Sequence, residues 1–483
     1  MEEYKAKFID FLLKTGALKV FENPSDDRTL KSKRISSWFV NIGDFNDGAS
    51  LGPLSDFYAD VLLNSGVDFD MVYGIPEKGN LISPAIIVSL AKKGKNVPVF
   101  ATRKVPKEHG EATNLSIADR IKGEIVGRVP KPGQVMAQID DVFTAGDAKY
   151  EARTKLEEIE ELVGGKFSYP ILAIGVDRQE VGISASGTTA IEQYQEKTGT
   201  RVVSIVNAVD VYNILKERKS VSERALERLA NYMRVYGTKD ARTAIGRGLE
   251  QKIIGRDKSV IPACDVSTLE ELEMIAENTA DVEGIGGYKT GISLALRFGL
   301  PNVVKAIRNY TDKPIIHDNQ KAGTDIPEMG KEYARLCKEA GVNAVILFPQ
   351  SGPETERAWI YHALDNGLNV IVGGRMTHPA YAVSEGGFIT DEGALDMYRI
   401  AARAGINNFV VPGNKPEVIK QVRDVVEAEG VSPVFYAPGF VAQGGKIEAA
   451  AKVAGDRFHG IVGRGIYQAK DMHAAAVEHT SQL

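Results

Sequence analysis

Cysteine is almost missing: Cys264 and Cys337 are the two in 483 residues. Two thiols so placed supply no disulfide framework and no metal-ligand spacing, and buried free thiols are the expectation for both. No apolar run approaches the ~18 residues that cross a bilayer, so no membrane span is expected. No long basic block exists either. With Lys+Arg 59, Asp+Glu 64 and a net charge of -5, nucleic acid is not an expected partner. The opening Met-Glu-Glu-Tyr-Lys lacks the charged-then-apolar order of a signal peptide, which makes a cytoplasmic location the expectation. Nowhere does Gly-Lys-Ser/Thr follow a glycine-rich turn, which excludes a Walker-type nucleotide loop.

What is present is ordinary globular composition, 43% hydrophobic and 25% charged. A chain of this length exceeds one hydrophobic core, so two domains are expected. Residues 3–16 read as an amphipathic helix carrying Phe8, Phe11, Leu12 and Leu13 and stopped by Gly16. A basic, hydroxyl-rich stretch, Thr29 to Ser37, precedes the strand-like Trp38-Phe-Val-Asn-Ile. Asp68 to Gly79 reads as a short strand ending in a Gly/Pro loop with Lys78, and a helical pattern follows from Leu81 to Ala91. Strand, loop and helix in that order make the unit of an open α/β sheet, which binds ligands at the carboxyl ends of its strands.

Val97-Pro-Val-Phe-Ala-Thr leads into Arg103-Lys-Val-Pro-Lys-Glu-His-Gly-Glu111. This cationic loop suits a polyphosphate whose charge grows as it departs. The strongest signal in this half is Val135-Met-Ala-Gln-Ile-Asp-Asp-Val-Phe-Thr-Ala-Gly-Asp-Ala148. A hydrophobic strand ends in the pair Asp140-Asp141, and a small-residue loop opens a helix from about Ala148 to Leu162. Backbone N–H groups at such a helix start bind phosphate, while the acids suit ribose hydroxyls.

Over roughly residues 1–215 the chain resembles orotate phosphoribosyltransferase. The resemblance is carried by Leu30-Lys-Ser-Lys-Arg-Ile-Ser, Gly74-Ile-Pro-Glu-Lys-Gly79, the Arg103–Glu111 loop, Asp140-Asp141-Val-Phe-Thr-Ala-Gly146 and Asp177-Arg-Gln-Glu180. It implies a type I phosphoribosyltransferase sheet and transfer of phosphoribose from phosphoribosyl pyrophosphate (PRPP) to orotate, with Mg2+ on the pyrophosphate. It also implies that Lys78, Arg103, Lys104, Asp140, Asp141, Thr144, Ala145 and Gly146 bind PRPP. Lys107 and His109 would act on the departing pyrophosphate, and Lys31 and Arg178 would bind orotate, a guanidinium being suited to a planar carboxylate. Three positions depart from the family pattern: Lys33 in place of glycine, Ser37-Trp38 in place of Pro-Tyr, and Asp147 where threonine is frequent. An anionic side chain in a phosphate loop repels phosphate unless it turns away or meets a cation.

Residues 216–244 are charged and helical, with Leu226, Leu229 and Met233 at helical spacing, and are expected to form a linker before a second domain at 245–483. Strand-like segments then recur at Val260, Gly284, Pro314, Ala344, Asn369, Asn408, Pro433 and Gly460, with helical patterns between. Eight such units predict a (β/α)8 TIM barrel whose site lies at the strands' carboxyl ends; an open doubly wound sheet is the structural alternative. Gly-rich segments after the last two strands, Ala437 to Gly445 and Gly463-Arg-Gly-Ile-Tyr467, have the composition of a barrel phosphate site.

This half resembles orotidine 5'-monophosphate decarboxylase over roughly 245–480, through Cys264-Asp265-Val266, Tyr288-Lys-Thr-Gly291, Met376-Thr-His-Pro379, Gln443-Gly-Gly and Gly463-Arg464. Asp318-Asn-Gln-Lys-Ala-Gly-Thr-Asp325 corresponds to the family's Asp-x-Lys-x-x-Asp motif with one more residue on each side of the lysine. The resemblance implies a decarboxylation without cofactor. In it Asp318 repels the substrate carboxylate, Lys321 protonates the C6 carbanion, and Lys289 and Asp265 hold the ribose and orient Lys321. Thr377 would read the base, Gln443, Gly463 and Arg464 would bind phosphate, and Asp325 would reach the site of a second subunit, so a homodimer or higher homo-oligomer is expected. Orotidine 5'-monophosphate, product of the first reaction, is then substrate of the second. Two other readings of the same residues stay open: a related sugar-phosphate decarboxylase or aldolase barrel behind the transferase, and a PRPP-sensing regulator.

Overall fold

The computed structural model describes residues 2–103, 121, 123–143, 146–184, 187–246, 248, 250–318, 325–440 and 444–483, apart from the side chains of Glu2, Asp44 and Asp147. The chain divides into two compact units. Met1–Gly182, Ser186–Met233 and Asp240–Ile245 make the first, and Ile183–Ala185, Arg234–Lys239 and Gly246–Leu483 the second.

The first unit is built on a six-stranded sheet. Its spatial order is Arg201–Asn207, Ser168–Asp177, Val135–Ile139, Met71–Gly74, Val99–Thr102 and Ile125–Gly127. All neighbours run parallel except the last pair. Ile171 to Ile174 are fully buried, as expected of a parallel strand covered on both faces. Met71, Tyr73, Phe100, Met136, Leu156, Ile159, Leu172 and Tyr194 belong to one cluster under the helices. Burying each such side chain contributes about 1.5–3 kcal/mol. From Met71–Gly74 the chain first adds Val99–Thr102 on one side and later returns to add Val135–Ile139 on the other. The strand order therefore reverses between Met71–Gly74 and Val135–Ile139, and a crevice opens at their carboxyl ends.

The helix Glu223–Tyr236 lies in the stretch expected as a linker. Through Met233 it groups with the first unit, as does Asp240–Ile245. It also buries a charge: Arg228 is fully enclosed, donates to both carboxylate oxygens of Asp27 at 2.9 Å and to the Phe21 carbonyl at 2.8 Å.

In the second unit eight parallel strands close a barrel in the order Lys258–Cys264, Tyr288–Thr290, Ile315–Asp318, Ala344–Leu347, Asn369–Gly373, Asn408–Val410, Val434–Ala437 and Phe458–Val462. Closure is made by Lys258–Pro262 pairing with Phe458–Val462. The ring excludes the open-sheet alternative. Alternation along a strand sorts its side chains into inward and outward sets. Ile261, Ala263, Ile316, Ala344, Ile346, Ile371, Val410, Tyr436 and Ile461 form the interior cluster. Among the described residues, no helix is long and apolar enough to cross a membrane.

Candidate active sites

Two loops meet the crevice of the first unit. The first follows Met71–Gly74, and its glycines are demanded by packing. A Cβ on Gly74 would meet the Gly79 carbonyl oxygen at 2.5 Å, and one on Gly79 would meet the Ile139 carbonyl oxygen at 2.2 Å. The turn thereby sets Lys78, the first residue of the helix Lys78–Lys92, against the second loop. Lys78 Nζ stands 2.8 Å from Asp141 Oδ2 and donates to Asn41 Oδ1 at 3.2 Å.

The second loop begins at the acid pair. Asp140 and Asp141 are buried, and each accepts a backbone N–H from the next residue, Asp141 at 2.9 Å and Val142 at 2.8 Å. The Tyr58 hydroxyl donates to the Asp140 carbonyl at 2.8 Å. Gly146, at φ 91, caps the helix Asp147–Val163 in the left-handed region, where glycine pays no steric cost. From the first turn of that helix Lys149 reaches back inside the loop. Its Nζ donates to the Val142 carbonyl at 2.8 Å and pairs with Asp140 Oδ2 at 2.5 Å. Burial raises the Asp140 carboxyl to about 6; Lys149 opposes the shift and Asp141 adds to it. Thr144 and Ala145 lie outside the described residues, as do Lys104, Lys107, His109 and Glu111. Arg103 follows the strand Val99–Thr102, and its N–H donates to the Glu124 carbonyl at 2.8 Å.

Arg178 sits on the other wall, just past the end of Ser168–Asp177. It is buried; Nε donates to Glu180 Oε1 at 2.7 Å and one terminal nitrogen to Ser36 Oγ at 3.0 Å. Its guanidinium carbon lies 4.0 Å from the ring centre of Trp38, so the Trp in the Ser37-Trp38 departure supplies a cation–π platform. Lys31 is exposed in a turn. Lys33, in place of the family's glycine, has φ 69, a left-handed conformation that glycine adopts without cost.

The barrel site is assembled by parity. Ala263, Ile316 and Ile461 point into the core, so residues two further on point the same way at the carboxyl end. Those are Asp265, Asp318 and Gly463. They line a cavity of about 370 Å³ together with Lys289, Arg375, Met376, Thr377, His378, Phe440, Arg464 and Tyr467. Lys289 is buried, with Nζ 2.6 Å from Asp318 Oδ2 and 3.9 Å from Asp265 Oδ1. Burial alone would lower its pKa, but the two carboxylates outweigh this and raise it, which keeps the ammonium charged. Gly291 leaves room for this pair: a Cβ there would meet Asp265 Oδ1 at 2.7 Å. The described part of the third strand runs to Asp318. Lys321 itself lies outside the described residues, as does Gln443. Asp325 is exposed, accepts the Ile326 N–H at 2.7 Å, and is not among the residues lining this cavity. The loop after the seventh strand folds tightly at its base, where Gly445 N–H donates to the Gly439 carbonyl at 3.1 Å.

Several residues of these sites were not singled out from the sequence. Arg375 shares its parity with the core residue Ile371, a signal that was present; it pairs with Asp391 at 2.7 Å. Tyr58 and Lys149 carried no such signal, because helix residues announce only which face is apolar.

Comparison with known proteins follows the same division. Residues 258–478 match the model of the Orotidine 5'-phosphate decarboxylase / HUMPS family. The other half is similar to an orotate phosphoribosyltransferase from Methylococcus capsulatus, 36% identical over 240 residues, 49% of this chain and 100% of the relative. An orotate phosphoribosyltransferase from Alteromonas mediterranea is 35% identical over 238 residues, again 49% of this chain and all of the relative. The chain also aligns with the crystal structure of an orotidine 5'-monophosphate decarboxylase from Methanocaldococcus jannaschii at 25% identity and a TM-score of 0.42, covering 47% of this chain and 98% of that one. The chain thus belongs to the orotate phosphoribosyltransferase family through one half and carries, in the other, a barrel that matches the orotidine 5'-phosphate decarboxylase family.

Proposed function

We propose that this enzyme performs two consecutive steps of pyrimidine biosynthesis. The first unit transfers phosphoribose from PRPP to orotate, and the barrel decarboxylates the resulting orotidine 5'-monophosphate to uridine 5'-monophosphate. The observation that carries the reading is that both units present a charged pair where their chemistry needs it. One is the Asp140-Asp141 pair at the strand-order reversal, and the other is Lys289 beside Asp318 at the barrel mouth.

In the first site Asp140 and Asp141 take the ribose hydroxyls of PRPP, and the loop ending at Gly146 takes its 5'-phosphate. Thr144 and Ala145 belong to that loop. Lys78, Arg103, Lys104, Lys107 and His109 offset charge on the departing pyrophosphate. Among the described residues no group of three or more His, Cys, Asp or Glu could hold a metal ion, and both acids of the pair already have a lysine partner. As the resemblance implies, Mg2+ would come with the pyrophosphate and supply charge neutralisation there. Arg178 and Lys31 bind orotate.

In the barrel Asp318, paired with Lys289, repels the substrate carboxylate, so loss of CO2 relieves the repulsion. Lys321 delivers the proton to C6, while Thr377 reads the base and Gln443, Gly463 and Arg464 bind phosphate. Asp325 serves the site of a second subunit in a homodimer or larger homo-oligomer, and the enzyme works in the cytoplasm.

The test is incubation with carboxyl-labelled orotate, PRPP and Mg2+. Labelled CO2 together with uridine 5'-monophosphate is expected. Lys321→Ala should stop CO2 release and leave orotidine 5'-monophosphate accumulating. Loss of both activities in a well-folded Lys321→Ala variant would contradict the division of labour.

A further inference from the structure

Glu180 carries more than one guanidinium. Its Oε1 accepts from Arg178 Nε at 2.7 Å, and its Oε2 accepts from Arg34 at 3.1 Å. A third donor reaches Oε1 from the helix Glu223–Tyr236: the Tyr232 hydroxyl, at 3.1 Å. Tyr232 is fully buried, and its ring centre lies 5.7 Å from the Arg178 guanidinium carbon. Burial alone would protonate Glu180, but Arg178 and Arg34 hold its carboxyl below the usual range, so it remains an anion.

The geometry points to Tyr232 as a positioning residue for orotate, acting through Glu180 on Arg178. A buried guanidinium requires a counter-ion, yet a counter-ion spanning its forked edge would compete with the ligand carboxylate. Here Glu180 takes Nε. The terminal nitrogens meet neutral oxygens, Ser36 Oγ at 3.0 Å and the Trp38 carbonyl at 3.4 Å. That edge remains suited to a second carboxylate. The arrangement requires Glu180 to stay on the Nε side, although Arg34 pulls on its other oxygen. The Tyr232 hydroxyl supplies the donor that holds Oε1 in place. The helix expected as a linker thereby completes the orotate corner of the first unit.

The inference rests on the assignment of orotate to Arg178, and the experiment separates the two. Steady-state phosphoribosyl transfer is measured in Tyr232→Phe and Arg178→Lys, varying orotate and PRPP in turn, with thermal unfolding recorded for each. Removing a hydrogen bond to a charged group makes the expected rise in KM for orotate about tenfold in Tyr232→Phe. KM for PRPP and kcat should stay within about twofold, because the hydroxyl acts on one ligand only. A raised KM for orotate in Arg178→Lys with none in Tyr232→Phe would overturn the role of Tyr232 and leave that of Arg178 standing. An unchanged KM for orotate in both would remove the Arg178 assignment itself. A Tyr232→Phe variant with both KM values raised and a lowered Tm would show a merely structural tyrosine and overturn the inference.

Discussion

Lys149 Nζ lies 2.5 Å from Asp140 Oδ2, and both side chains are buried. The lysine pins the second loop from within through the Val142 carbonyl. It also opposes the burial that raises the Asp140 carboxyl to about 6. Asp141 faces the same carboxyl, with Lys78 on its far oxygen, and Tyr58 touches the Asp140 carbonyl.

Replacing Lys149 with methionine keeps the volume and removes the charge. Asp140 then loses its counter-ion and holds its proton to higher pH. The expected result is a fall of at least about tenfold in kcat/KM for PRPP at pH 7, with the acid limb of the pH profile displaced upward. Profiles of the two proteins that superimpose from pH 6 to 9 would remove Lys149 from this role.

In the barrel, Lys289→Met leaves Asp318 buried beside Asp265 without the shared cation. Breaking a buried pair costs about 3–5 kcal/mol. Decarboxylation of supplied orotidine 5'-monophosphate should fall by more than about 100-fold, whereas phosphoribosyl transfer should persist. Both rates can be read in one preparation, and a variant that decarboxylates normally would exclude Lys289 from the site chemistry.

Two histidines tie barrel stability to pH. Burial lowers the pKa of His317 to about 4 and that of His459 to about 3. In the unfolded chain each titrates near ~6.5. Between these values the unfolded state binds more protons, so the stability present above pH 6.5 is lost as pH falls. Between neutral pH and pH 5 each histidine withdraws roughly 2 kcal/mol. Urea unfolding at pH 7.5 and 5 should show this loss, and His459→Gln should reduce it by about 2 kcal/mol. An identical loss in the variant would mean that His459 titrates normally.

Lys33 has φ 69 and marks a turn in which its N–H donates to the Leu30 carbonyl at 2.9 Å. A β-branched side chain fits that region poorly, so Lys33→Val should cost about 1–2 kcal/mol. Lys33→Gly should lie between neutral and about 1 kcal/mol stabilising, because relief of strain is partly offset by the freedom of glycine when unfolded. Thermal unfolding of the two variants decides it; equal Tm values would mean that the turn relaxes around the side chain.

Much was legible in order along the chain. The eight barrel strands stand where the apolar segments lie, because a buried parallel strand needs a short run of β-branched and apolar residues. The helix Asp147–Val163 begins after Gly146, because a left-handed position at a helix start suits glycine. These are local requirements, and the amino-acid sequence by itself determined them. Contacts between distant residues were decided by tertiary structure alone. Arg228 reads as a surface cation on a charged helix, yet folding encloses it against Asp27. Tyr232 reads as part of the same helix, yet it completes the set of donors around Glu180. Lys149 carries no mark of its partner, and Lys289 meets Asp318 because adjacent barrel strands carry them to one end. Local pattern specifies which face of an element is apolar, but which buried charges meet depends on the packing of elements far apart in sequence.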